Sequence, residues 1–365
     1  MGVSDIVSSV IEIDPQQDVR WKDFVNAHPD GLVYQLPSWL RCIERAFPYE
    51  PSALAYEDER GSLLGILPLF HQRGLLTGSC FSSLPHTPVA GPLAYDPEVR
   101  AALVAAALRR VEERPGSWLQ LKLPSLEFEG LGDGISSVPW RSTYVLSLAG
   151  KDEELRLGSA ENHNRIRWAV KKASRLGVQV RPAGSEHDLK AWHLLYLDTM
   201  RSLRLLPFPY AFFKAMWEEL RPAGNMTLLI AEREQDRSTE LLAGALFLMS
   251  GQTVFYAFSA RRRDAMSLRP NEAIQWRAIQ DARARGFRRY DLGEVPRGND
   301  GLANFKRKWG TREEQLYRYY HPSGRELAES SDNPSSPILR LTTFAWGRLP
   351  LRATAFIGGG LRRYL

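Results

Sequence analysis

Cysteine is almost missing from this sequence. Cys42 and Cys80 are the only two in 365 residues, which excludes a disulfide framework and a cysteine-ligated zinc site. No stretch approaches the roughly 18 uninterrupted apolar residues that a membrane-spanning helix needs. The first residues, MGVSDIVSSVIEIDPQQD, lack a basic region followed by an apolar core, so no secretory signal is expected and a cytoplasmic protein is. The seven histidines show no paired ligand spacing, and no metal site is expected. There is no P-loop and no Gly-x-Ser-x-Gly elbow. The GxGxG at 130–134 precedes no helical pattern and reads as a turn.

The rest of the composition is that of a globular chain, with 44% hydrophobic and 25% charged residues. Its length suits two domains rather than one. Forty-eight basic against 42 acidic side chains give a net charge of +6. That excess suits an anionic partner, whether a phosphate-bearing substrate, an RNA or an acidic membrane surface, and does not choose among them.

Two halves of the chain repeat one order of elements. In the first, a helical pattern at Trp21–Val25 leads through an extended Val33–Trp39 into a second helix. A hairpin follows, with strands Ser52–Tyr56 and Leu63–Phe70, then a proline-rich stretch, a helix over Glu98–Glu113 and a strand over Trp118–Leu123. In the second, helices Asp188–Arg201 and Ala211–Leu220 precede strands Met226–Glu232, Leu241–Met249 and Gln252–Phe258. A helix over Asn271–Arg285, closed by Gly286, and strand Arg288–Leu292 complete it. Corresponding elements lie roughly 170–180 residues apart, the spacing of a domain-sized repeat rather than of a solenoid. Between the halves, Ile166, Ala169, Val170, Ala173 and Leu176 recur at helical spacing among Arg165, Arg167, Lys171, Lys172 and Arg175. The pattern predicts a basic amphipathic helix ending at Gly177.

The order helix–helix–strand–strand–strand–helix–strand resembles the acetyltransferase (GNAT) fold, an α/β (α+β) arrangement with a mixed sheet. Two tandem copies are expected: 1–150, degenerate; 151–325, carrying the site; and a basic, aromatic tail over 326–365. Four motifs resemble the Fem-type aminoacyltransferases and their BioF-like acetyltransferase relatives. They are the basic run Arg165–Lys172 closing on Gly177-Val178, Ser83-Leu84-Pro85 leading to Ala90-Gly91-Pro92, Tyr290-Asp291-Leu292-Gly293, and Gly-Leu-x-x-Phe-Lys-x-x-x-Gly over Gly301–Gly310. The resemblance spans roughly residues 20–320 and implies transfer of an aminoacyl or acyl group to an amine of a cell-wall or surface-polysaccharide precursor. The sequence departs from that family in having no long charged coiled-coil insertion. It departs from simple acetyltransferases in having Ser259–Asn271, rich in arginine, where the glycine loop for the coenzyme A pyrophosphate belongs.

Such chemistry needs an amine aligned with an activated carbonyl, a stabilised oxyanion and a route for protons. Lys306 lies in the most specific motif, and the resemblance places it at the substrate site; without the resemblance, it reads rather as part of a basic strand edge packed through Phe305 and Trp309. Asp291 and Glu294, at a strand end, could take a proton from the amine, and Tyr256 could give one to a leaving group; each also fits a capping or core-rim role. Asn271 as a helix N-cap, with Arg269 upstream, suits a phosphate or an ordinary surface loop. Arg201 and Arg204 fit a diphosphate clamp or a solvated helix end. Phe305 and Arg165 complete the candidate substrate contacts, and Trp39, beside Tyr34, fits either an acceptor groove or a core.

No tightly bound cofactor is expected; the donor is an aminoacyl-tRNA or an acyl-CoA. The acceptor is a cell-wall or glycan precursor, lipid-linked in one reading, and DNA is not an expected partner. From Asn333 to Leu365 five arginines and no acid are interleaved with Leu339, Phe344, Trp346 and Phe356. This segment fits peripheral contact with an anionic membrane or a closing helix. Two other functions remain open: a conventional acetyl- or acyl-CoA-dependent N-acetyltransferase, and a non-catalytic RNA- or lipid-binding module on the same fold.

Overall fold

The computed structural model describes residues 9–74, 78–128, 134–150, 157–235 and 238–322. Most of the GxGxG at 130–134 and all of the tail from 326 lie outside them. The chain divides into two units, crossing at Arg141/Ser142, with 315–322 returning to the first.

The first unit contains β1 (Ser9–Glu12), α1 (Val19–Ala27), α2 (Pro37–Ala46), β2 (Glu50–Pro51), β3 (Leu54–Glu57), β4 (Leu63–Leu67), β5 (Phe70–Gly74), β6 (Gly78–Ser82), β7 (Leu93–Ala94), α3 (Pro97–Glu112) and β8 (Ser117–Leu123). Strand β9 (Ser136–Ser147) carries the chain into the second unit. There follow α4 (Ala160–Arg175), β10 (Gln179–Pro182), α5 (Glu186–Leu203), α6 (Tyr210–Glu219), β11 (Met226–Gln235), β12 (Ser238–Ser250), β13 (Thr253–Arg261), α7 (Pro270–Ala284), β14 (Arg289–Val295), α8 (Asp300–Arg307) and β15 (Arg312–His321).

In the first unit β1-β3-β4-β7 form one sheet, while β2, β5, β6, β8 and β15 pair in that order. The hairpin expected to end in one strand over Leu63–Phe70 is broken between β4 and β5, at Pro68, which has no N–H to give a ladder. The stretch expected to be extended before α2 contains a turn of 3-10 helix at Val33–Gln35. Asp96 caps α3 by accepting from the Glu98 amide, and the helix buries Val99, Leu103, Val104, Ala107 and Val111. That spacing is what a helix must have to bury one stripe.

The second unit has the sheet order β10-β11-β12-β13-β14-β9, antiparallel except for the parallel pair β13–β14. Helix α7 makes the crossover that a parallel pair requires. Its residues Ile274, Ala278, Ile279 and Ala282 pack with Phe247, Met249, Tyr290 and Trp309 in the core. Helix α4 starts at Ser159, whose side chain accepts from the Asn162 amide, and buries Ile166, Ala169 and Ala173. Leu176, expected on that face, is exposed because the helix has already ended at Arg175. Among the described residues no helix is long and apolar enough to cross a membrane.

Candidate functional site

The parallel strands β13 and β14 pair only over Thr253–Phe255 with Arg289–Asp291. Beyond that point they part: β13 continues to Arg261 against β12, and β14 continues against β9. Both carry an irregularity where they separate. In β13, Phe247 faces Tyr256 while Leu246 faces Phe258, so Ala257 is an extra residue. In β14 the register with β9 shifts between Asp291 and Glu294. Gly293 lies inside that bulge with φ +81°, and a Cβ there would stand 3.3 Å from the Tyr256 carbonyl oxygen and 3.7 Å from Lys306 Nζ. Bulges re-aim side chains and backbone groups next to sites. Here the bulge turns two carbonyls toward one ammonium.

That ammonium is Lys306, on α8 and 4% exposed. Its Nζ donates to the Gly293 oxygen at 2.8 Å and the Glu294 oxygen at 3.0 Å. An ammonium has three donors, so one N–H remains for a further acceptor. Burial lowers its pKa from 10.5 to about 8, opposed by the carboxylates of Asp291 and Glu294. The segment is helical, not a strand edge: Asn299 caps it by accepting from the Leu302 amide, and Trp309 beyond its end is fully buried. Phe305 is half-buried, with Lys308 Nζ 4.3 Å above its ring.

Asp291 is 8% exposed. Its Oδ1 accepts from Thr143 Oγ1 at 2.5 Å and from the Gly293 amide at 2.7 Å. Burial raises its pKa, while those two hydrogen bonds and Lys306 pull it down. Tyr256 is pushed up by burial, with the Ser259 and Gln275 side chains acting against that rise. Gln275, on α7 and 1% exposed, accepts at Oε1 from the Tyr290 hydroxyl at 2.6 Å. Lys306, Asp291 and Glu294 are thus brought together from α8 and β14; Tyr256, on β13, brings its backbone carbonyl to the same bulge, while its hydroxyl interacts with Ser259 and Gln275. Thr143 joins them through Asp291, and Gln275 joins Tyr256 and Tyr290, without any signal in the sequence, since neither lies in a motif and Thr143 is 148 positions from its partner.

The remaining candidates lie elsewhere. Asn271 is not the N-cap of α7: Pro270 starts the helix and Arg269, left-handed at φ 62°, is the cap. Proline suits the first helical position because its missing N–H would have no partner there. The Arg269 guanidinium lies 3.8 Å from Glu272 and 5.8 Å from the centre of the Trp168 ring, which is half-exposed on α4. Arg165 is exposed and pairs with Glu161 one turn away. Arg201 and Arg204 share a surface depression of about 450 Å³ with Asp198, Ser202 and Arg263. Arg201 pairs there with Asp198 at 2.6 Å, and Arg204 ends α5 in the left-handed conformation. Trp39 does not line an open groove. It is 1% exposed, on the inward face of α2, with its ring 5.0 Å from that of Tyr34.

The first unit holds the Ser83-Leu84-Pro85 motif by a lysine that the sequence did not single out. Lys122, 6% exposed on β8, donates from its amide to Ser83 Oγ and from Nζ to the Leu84 oxygen at 2.7 Å.

Residues 160–307 match the family model of the acetyltransferase (GNAT) domain. Lipid II:glycine glycyltransferase from two strains of Staphylococcus epidermidis is 34% identical over 367 residues, covering 79% of this chain and 87% of the relative. Among solved structures, FemX superposes with a TM-score of 0.67 at 16% identity, covering 88% of this chain and all of the other. The L-PGS from Bacillus licheniformis gives 0.57 at 12% identity, covering 93% and 99%. These two structural likenesses concern the fold alone.

Proposed function

We propose that this chain, a member of the Fem-type acyltransferase family that includes lipid II:glycine glycyltransferase, moves an aminoacyl group from a charged tRNA onto an amine of a lipid-linked cell-wall precursor. It belongs to that family through its identity with the staphylococcal enzymes over most of both chains, and it is an acyltransferase of GNAT fold. The observation that carries the reading is the buried ammonium of Lys306 where β13 and β14 part, with one donor left over.

When an amine attacks an ester carbonyl, negative charge develops on the carbonyl oxygen. A preorganised cation in a water-poor site stabilises it strongly. Lys306 fills this role, and the two backbone carbonyls hold it in place. Asp291 already accepts two hydrogen bonds, so it fixes the β14 bulge and supports the charge on Lys306. Glu294, half-buried beside the ammonium, takes the amine's proton, and Tyr256 gives one to the departing ribose oxygen. Arg201 and Arg204 bind the diphosphate of the acceptor. Arg269, Asn271 and the first turn of α7 accept phosphates of the donor, and Phe305 flanks the acceptor peptide.

The test is a transfer assay with lipid II and either glycyl-tRNA or acetyl-CoA as donor. Product from glycyl-tRNA alone supports the proposal. Product from acetyl-CoA alone replaces it with the conventional acyl-CoA enzyme that the family match over 160–307 also favours. Binding of either donor with no product, unchanged by Lys306→Ala, leaves a non-catalytic RNA- or lipid-binding module.

A further inference from the structure

Gln275 is hydrogen-bonded to one tyrosine, Tyr290, and lies near a second, Tyr256. Its Oε1 accepts from Tyr290, whose hydroxyl is fully buried and, with its pKa pushed well above the ordinary value, stays protonated. The amide nitrogen has no hydrogen-bond partner among the described residues. Yet the side chain is 1% exposed, and leaving a buried N–H unmatched is costly. The hydroxyl of Tyr256 lies within electrostatic reach of Gln275. Phe247 packs against both tyrosines, at 5.7 Å from the Tyr256 ring and 6.1 Å from the Tyr290 ring, so neither ring is free to swing away.

The amide can sit two ways. In the orientation observed, Tyr290 donates to Oε1 and the N–H groups are directed away from Tyr290. Flipped, the nitrogen would donate to Tyr290, and Oε1 would take the hydrogen of the Tyr256 hydroxyl. Only the first leaves Tyr256 able to give that hydrogen to a substrate.

We infer that Gln275 is a positioning residue: held by Tyr290, it donates from Nε2 to the Tyr256 oxygen and so keeps the Tyr256 hydrogen aimed at the leaving group. The inference rests on the reading of Tyr256 given under Proposed function. In the step concerned, the acceptor nitrogen forms its bond to the acyl carbon and the carbon–oxygen bond to ribose breaks. The nitrogen's proton passes to the Glu294 carboxylate, and the Tyr256 proton passes to the ribose oxygen. Glu294 then releases a proton to water and Tyr256 recovers one from it. With substrate bound the amide and the Tyr256 hydroxyl come to hydrogen-bond length, since catalytic contacts that are long in an empty enzyme tighten in the loaded one.

A positioning role predicts a dependence on the leaving group that a structural role does not. An alkoxide needs a proton to depart, whereas a thiolate leaves without one. The experiment measures kcat and KM for the full chain with lipid II and two donors, glycyl-tRNA and the same charged tRNA with sulfur in place of the ester oxygen, a glycyl thioester. The variants are Gln275→Glu, which keeps the shape and loses the N–H, and Tyr290→Phe, which frees the amide to flip. With glycyl-tRNA, Gln275→Glu lowers kcat by about ten- to a hundredfold at unchanged KM, within the range for general acid catalysis, and Tyr290→Phe gives a smaller loss. With the thioester both variants keep their kcat within about twofold of the parent. Equal losses on both donors make Gln275 a packing residue and overturn the inference. Tyr256→Phe separates the two readings. If it too loses equally on both donors, the role of Tyr256 fails; if it shows the leaving-group dependence and Gln275→Glu does not, only the inference about Gln275 fails. Should Gln275→Glu not fold, Tyr290→Phe carries the same test alone.

Discussion

A Cβ placed on Gly310 would lie 2.4 Å from the backbone nitrogen of Gly158. Gly310 closes the Gly-Leu-x-x-Phe-Lys-x-x-x-Gly motif, and Gly158 immediately precedes the cap of α4. Two backbones therefore meet where neither residue has room for a side chain, and both have positive φ, 82° and 64°. Gly310→Ala must push the backbones apart as well as strain φ. It is expected to cost more than the roughly 1 kcal/mol of an ordinary unfavourable glycine replacement. Urea denaturation should show a clear fall in midpoint, and an unchanged midpoint would mean that the contact is not rigid.

Lys306→Met should abolish transfer while leaving the fold about as stable as the parent at neutral pH. The ammonium is buried at a cost, which is why its pKa falls to about 8. For such a base the folded protein binds fewer protons than the unfolded chain between about 8 and its ordinary 10.5. Stability contributed through this group therefore rises as pH rises through that window. Melting temperatures from pH 7 to 10 should climb in the parent relative to the methionine variant. A parallel pH dependence in both proteins would show that the lysine titrates normally.

Thr143→Val removes a hydrogen bond that holds the Asp291 pKa down. The carboxyl should then protonate at higher pH, and the acid limb of kcat/KM should move to higher pH. An unmoved limb would assign it to another group.

His193 tests stability rather than activity. It is buried among Tyr196, Tyr210 and Phe213, with burial lowering its pKa from 6.5 to about 4. The unfolded chain takes up a proton that the folded one refuses, so stability present above about 6.5 is lost as pH falls toward 4. His193→Phe should weaken the fall in melting temperature between pH 7 and 4.5. The same slope in both proteins would place the acid sensitivity elsewhere.

Arg204→Ala should raise KM for lipid II several-fold with kcat little changed, as removal of uniform binding does. The comparison is the same acceptor lacking its diphosphate, whose KM should not respond. Equal effects on both acceptors would remove the arginine from phosphate recognition.

Local pattern was enough for most of the helices, though not for α8, which it left as a strand edge. The helix over Glu98–Glu113, the amphipathic run Ile166–Ala173 of α4 and the glycine after α7 each announce themselves within a few residues, because helical burial and capping are set by neighbours along the chain. The Fem-type resemblance could be read for the same reason: its motifs are short and contiguous. Breaks depended on more. Pro68 divides β4 from β5, yet nothing nearby says that the two strands join different sheets. The cap of α7 lies two residues before its expected place, at Arg269 rather than Asn271, because proline at the first helical position outweighs asparagine as a cap.

The amino-acid sequence by itself determined the helix faces, the strand alternation and the presence of Lys306 in a family motif. Tertiary structure alone decided its chemistry. The low pKa of Lys306 comes from desolvation, its orientation from two carbonyls turned by the β14 bulge, and the state of Asp291 from a threonine on another strand. Gln275 acquires its role from Tyr290 and Tyr256, on different strands. Hydrogen bonds and burial act through space over a few ångströms, and only the folded chain brings residues so far apart in sequence within that range.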